Sequence, residues 1–227
     1  MLRLYLLGSF ALTAISFELP STSPVSDCGT VLNPVHDTQR DSSLVALFGG
    51  GQAFPDFLDA ARRRREGWLK VTEGVQIADS SVARAKAIGG EWRLLVVAID
   101  ACGDSMQQVP YVARLAELVD GLSVRIVPPS DGALVQEAHR SLDGRKATPT
   151  FVLIDSTGAD AGCIVELPRE IRRWTHVQRD SMSSDALHQH RREWYDADQG
   201  ASIVSEVVEL MEQAKNGTPM CERGGLS

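Results

Sequence analysis

The residue with the clearest potential for chemistry is Cys102. It lies in the turn Asp100-Ala-Cys-Gly-Asp-Ser105, directly after the continuous apolar run Arg93-Leu-Leu-Val-Val-Ala-Ile99. That run has the pattern of a strand buried on both faces. From Met106 to Asp120, Val109, Val112, Leu115, Ala116 and Val119 fall on one side of a helix that Gly121 stops. Cys102 is therefore expected where a buried strand hands over to a helix. Backbone N–H groups in a first helical turn lack intrahelical partners and, with the helix dipole, favour thiolate over thiol. An ordinary thiol is only a few per cent ionised at neutral pH, so such a position can activate a cysteine as a nucleophile. Asp104, a carboxylate two residues on, acts in the opposite direction. The alternative is a buried, inert cysteine.

The elements around this turn predict the architecture. Ser123–Val127 reads as a second strand, ended by Pro128-Pro129, and Gly132–Arg140 as a helix. Thr150–Asp155 and Cys163–Leu167 read as two further strands joined tightly into an antiparallel hairpin through Ser156-Thr-Gly158. Helical spacing recurs over 169–177, 185–196 and 201–215, and upstream over 54–71 and 80–88. The order predicts an α/β fold with one four-stranded mixed sheet flanked by helices, and extra helices at both ends.

At these residues the sequence resembles the thioredoxin-like superfamily. Cys102-Gly-Asp-Ser105 stands in the place of the Cys-x-x-Cys active site. Pro110, eight residues after Cys102, matches the kink proline of the following helix. Ala147-Thr-Pro-Thr-Phe-Val-Leu-Ile-Asp155 resembles the cis-proline loop with its strand. A closer resemblance is to bacterial thioredoxin-family proteins with a Trp-Cys-Gly-Asp-Ser/Ala motif and a late Glu-Trp-Tyr helix, matched here by Arg191-Arg-Glu-Trp-Tyr195. It covers roughly residues 54–214. The resemblance implies that Cys102 is the catalytic nucleophile, supported by Gly103, Asp104 and Ser105. It also implies that Thr148 and a cis Pro149 face Cys102 and dock an extended substrate segment by strand addition.

Two departures narrow the implied activity. Ser105 replaces the resolving cysteine, so a mixed disulfide on Cys102 has no neighbour to release it. Ala101 replaces the tryptophan expected before the cysteine. What remains is a monothiol thiol–disulfide oxidoreductase acting on a protein disulfide or a low-molecular-weight thiol, or else a redox-inactive binding module of the same fold. Cys163, Cys28 and Cys221 are candidate resolving thiols, although Cys163, at the start of the last strand, reads more readily as a buried hydrophobe. Cys28 and Cys221, in the two ends, are candidates to pair with each other if the protein is exported. A peroxidatic role is weaker, because Ile99 stands where a threonine is expected.

Other features carry less. Arg62–Arg65 reads as the solvated face of a helix. His188-Gln-His190 lacks further metal ligands at suitable spacing, so no metal is expected, and no cofactor motif is present: Gly49-Gly-Gly51-Gln52 lacks a Lys-Ser/Thr ending. Trp174, Trp194 and Tyr195 read as packing residues.

Across 227 residues, 43% hydrophobic composition suits a soluble domain, and a net charge of −7 argues against a nucleic-acid partner. Arg3, the apolar run from Leu4 to Ala14, and Ala14-Ile-Ser16 read as a signal peptide over 1–16, too short to span a membrane. This suggests export to the periplasm or medium, with a cytoplasmic protein as the alternative. A linker over 17–45, a domain over 46–216 and a flexible tail over 217–227 complete the expected organisation.

Overall fold

A computed structural model describes residues 38–222, with side chains over 43–221. Its centre is the pair of strands with no solvated face. In β1 (Trp92–Val97), Leu94, Leu95, Val96 and Val97 are all fully buried. In β3 (Thr150–Ile154) every residue is buried. The unbroken apolar runs are thus strands covered by helices on both sides.

The sheet order is β2-β1-β3-β4-β5. β2 (Leu122–Val127) runs parallel to β1 and is reached through the helix α5 (Gly103–Leu118). β3 is antiparallel to β1, and β4 (Asp160–Val165) is antiparallel to β3. On one face Leu94, Val96, Phe151, Leu153 and Ile164 meet α2 (Phe54–Ala60), α3 (Arg65–Gly74), α5 and α9 (Ala201–Lys215). α4 (Asp79–Ile88) lies against α9. On the other face Leu95, Val97, Val152, Ile154 and Cys163 meet α1 (Thr38–Gly50) and α6 (Ala133–Ala138). α7 (Arg169–Gln178) and α8 (Ser184–Asp198) form a smaller cluster around Leu167, Ile171 and Tyr195.

The expected thioredoxin-like mixed sheet is present, with a fifth strand rather than four. β5 (Met220–Glu222) pairs parallel with β4 inside the segment expected to be a flexible tail. Three residues are too few to show a period in sequence. The strand approaches closely because Gly162, at φ +136°, presents no side chain where a Cβ would collide with the Met220 carbonyl and Leu210. A disulfide between directly paired Cys163 and Cys221 ties it down.

Other boundaries shift for physical reasons. α1 begins at Thr38, inside the expected linker, and buries Leu44. The segment read as one helix over 54–71 is two, α2 and α3, broken at Ala61–Arg64. β4 starts at Asp160, so Cys163 is mid-strand rather than at its start. The expectations for residues 1–16 and for Cys28 lie outside the described residues. No helix among the described residues is long and apolar enough to cross a membrane.

Candidate active site

Antiparallel pairing of β1 with β3 sets Val97, at the end of one strand, beside Thr150, at the start of the other. The turn after β1 therefore meets the loop before β3. Cys102 is the N-cap of α5, and its sulfur accepts a hydrogen bond from the Ser105 N–H at 3.4 Å. The same Sγ donates to the Thr148 carbonyl at 3.1 Å. The Thr148–Pro149 peptide is cis. Cys102 and Thr148 are half-buried and Pro149 is buried. Among the described residues Cys102 is the free cysteine.

The turn is braced from α2 and α3. Trp68, fully buried between Phe54 and Phe57, donates Nε1–H to the Asp100 carbonyl at 2.9 Å. The Asp100 carboxylate accepts the backbone N–H groups of Arg62 and Arg63, both at 2.8 Å. These bonds, that from Arg63 foremost, hold its pKa below the ordinary carboxylate value against the effect of partial burial. Arg64 donates Nε–H to the Ala101 carbonyl at 2.7 Å. The arginine run is thus a clamp on the turn that carries Cys102, not a solvated helix face. Its bonds to the turn are made largely by backbone groups, which residue type does not reveal.

The loop before Pro149 is held in the same manner. Gln136 and Thr150 both donate to the Ala147 carbonyl, at 2.7 and 2.8 Å. The Pro149 carbonyl accepts from Glu166 N–H at 2.8 Å. Arg145 bridges Asp143 and Glu166 at 2.6 and 2.9 Å.

Three residues that sequence reasoning assigned to packing, or passed over, reach the site. The Tyr195 hydroxyl donates to Asp104 Oδ1 at 3.2 Å, and Gln108 Nε2 donates to the Tyr195 oxygen at 3.0 Å. Arg191 lies 3.6 Å from Asp104 Oδ2. Burial, and then the Asp104 carboxylate, push the Tyr195 hydroxyl well above its usual range, so it stays a donor. The only advance signal was the Glu-Trp-Tyr element of the family resemblance. His188 contacts Arg191 and His190 stacks on Trp174 at 3.7 Å, so the histidine pair face different partners.

Asp104 itself is raised above the ordinary carboxylate value, chiefly by burial, with Arg191 opposing. A raised folded-state pKa means that its contribution is full below the unfolded value and is lost as pH rises through the folded one. Asp104→Asn removes that loss. Thermal melts at about pH 4 and about pH 7 should show the variant gaining on the parent at the higher pH.

Ser105 is fully buried, and its hydroxyl has no hydrogen-bond partner among the described residues. The candidate resolving role of Cys163 is corrected: its sulfur is joined to Cys221. It pairs with Val152, two residues along β3 from Thr150 and so about 7 Å further from the proline loop. The candidate Cys28–Cys221 pairing fails for the same reason, since Cys221 is already bonded.

A family model described as thioredoxin matches residues 51–183, more than half the chain and including Cys102 and Pro149. The chain belongs to the thioredoxin family. A crystallised Pseudomonas aeruginosa protein of unknown function superposes on this thioredoxin-family chain with a TM-score of 0.60 at 17% identity, over 75% of this chain and 97% of that one. An HIV epitope scaffold gives 0.58 at 15% identity, over 74% and 96%. At these identities the likeness shows the fold alone. No curated protein matches the sequence.

Proposed function

We propose that this thioredoxin-family protein is a monothiol thiol–disulfide oxidoreductase acting through Cys102. The observation that carries the reading is the 3.1 Å approach of Cys102 Sγ to the Thr148 carbonyl, with the sulfur at the N-cap of α5. Cys102 thiolate attacks a partner disulfide, forming a mixed disulfide and expelling the partner's other sulfur as thiolate. A low-molecular-weight thiol then attacks Cys102 Sγ, frees the partner, and leaves a small adduct that a second such thiol removes. Thr148 and Pro149 dock the partner's extended segment, and Gly103, Asp104 and Ser105 form the helix start beneath the sulfur.

The chain fits the bacterial branch with the Cys-Gly-Asp-Ser/Ala motif. It acts outside the cytoplasm, a location supported by the pattern of residues 1–16 and by the Cys163–Cys221 disulfide. A redox-inactive binding module is the second reading, favoured by the buried Ser105 in place of a resolving thiol.

Reduced protein given a small symmetric disulfide and an excess of small thiol distinguishes the two. Oxidoreductase activity through Cys102 requires turnover that falls in Cys102→Ser to the level supported by the remaining cysteines. Equal turnover in both proteins, or none in either, leaves the binding module.

A further inference from the structure

Away from Cys102, the disulfide Cys163–Cys221 sits beside a buried histidine whose two ring nitrogens face different groups. His139, the residue that ends α6, is only 4% exposed. Its Nε2 lies 3.0 Å from Asp160 Oδ2 and its Nδ1 lies 3.6 Å from Cys221 Sγ. One ligand atom from each of His139, Cys163 and Cys221 falls within 4.8 Å of the others. With the sulfurs joined to each other the trio is not a set of thiolate metal ligands, because the thiolate is the form that binds metal. The arrangement is suited instead to moving a proton at a disulfide.

The geometry points to a second thiol–disulfide exchange centre, Cys163–Cys221 with His139 as its proton donor and a low-molecular-weight thiol as its co-substrate. It does not depend on Cys102.

The two sulfurs differ in access. Cys163 is completely buried among Leu95, Val97, Val152 and Val165, whereas Cys221 is half-exposed. An incoming thiolate therefore attacks Cys221 Sγ. The S–S bond breaks, a mixed disulfide forms on Cys221, and the bond's electron pair passes to Cys163 Sγ. An anion there would have no water around it, so the leaving sulfur needs a proton. His139, whose ligand atom lies within 4.8 Å of the Cys163 sulfur, passes it a proton. Asp160 at Nε2 fixes the ring's orientation and so acts as a positioning residue. A second small thiolate attacks the mixed disulfide, departs as the oxidised small disulfide, and leaves Cys221 as a thiolate. The two protons released by the small thiols restore His139 and neutralise Cys221. The balance is two thiols oxidised to one disulfide, and one protein disulfide reduced to two thiols. Loss of the cross-link then frees β5, which has only three residues in the sheet to hold it.

The test uses the full chain carrying Cys28→Ser and Cys102→Ser, treated with a small monothiol, quenched with an alkylating reagent and mapped by peptide mass. The thiol adduct is expected on Cys221 with Cys163 alkylated. Opening is expected to be faster than global unfolding, measured on the same sample. It should slow at least about tenfold in His139→Ala or His139→Gln, and less in Asp160→Asn, with each variant compared with its own unfolding rate. An adduct on Cys163, opening that merely tracks unfolding, or undiminished opening in both His139 variants would each overturn the proposal and leave a structural disulfide. The adduct position is read on the unaltered centre, so it decides even if a His139 variant does not fold. Cys102 is absent throughout, so failure here is distinct from failure of the Cys102 reading.

Discussion

Trp68→Ala is expected to lower stability by about 3–5 kcal/mol, the usual cost of emptying a large aromatic site in a core. Trp68 is fully exposed to no solvent, and packs against Phe54 at 6.5 Å and Phe57 edge-on at 5.1 Å. For a domain of this size such a loss corresponds to a drop in Tm of roughly 6–20 °C. Trp68→Phe separates two effects: it keeps most of the packing but removes the hydrogen bond to the Asp100 carbonyl, at about 1 kcal/mol. Because that carbonyl belongs to the turn carrying Cys102, Trp68→Phe should also slow alkylation of Cys102 under conditions where the protein remains folded. A variant with the stability of wild type and an unchanged alkylation rate would show that Trp68 does not brace the turn.

Gly200→Ala is the second large effect. Gly200 joins α8 to α9 at φ +74°, a conformation that costs an L-residue roughly 1–2 kcal/mol. A Cβ there would also run into the ring of Tyr111 on α5, and overpacking of that kind costs typically about 1–3 kcal/mol. Together these give about 2–5 kcal/mol, seen as a lower urea midpoint with an unchanged m-value. The same glycine sets where α8 emerges, and α8 delivers Tyr195 to Asp104 and Gln108. A stability loss under about 0.5 kcal/mol would mean that α5 and α9 adjust more freely than their packing indicates.

The disulfide illustrates where reading the chain stops. Cys163 and Cys221 are 58 residues apart, and their pairing follows from β5 lying beside β4 in register. Three strand residues near the end of the chain carry no periodic signal, so neither the strand nor the bond it aligns was legible. Likewise, four consecutive arginines look the same whether they line a helix or close a turn. Only the positions of Asp100 and Ala101 show that the run is a clamp.

What the amino-acid order determined by itself was everything governed by local period and punctuation. The buried runs of β1 and β3, the apolar stripe of α5, the helix over 201–215 and the placing of Cys102 at a strand-to-helix turn are all short-range patterns that give an α/β class, and the resemblance of the Cys102, Pro110 and Pro149 motifs adds the thioredoxin-like kind. The tertiary structure decided which distant groups meet: Thr148 at Cys102, Tyr195 and Arg191 at Asp104, Trp68 at Asp100, and His139 with Asp160 at the disulfide. Such meetings depend on strand order, helix packing and chain crossing. Many sequences with the same local periods satisfy those in different ways, so the partners become known only when the sheet is assembled.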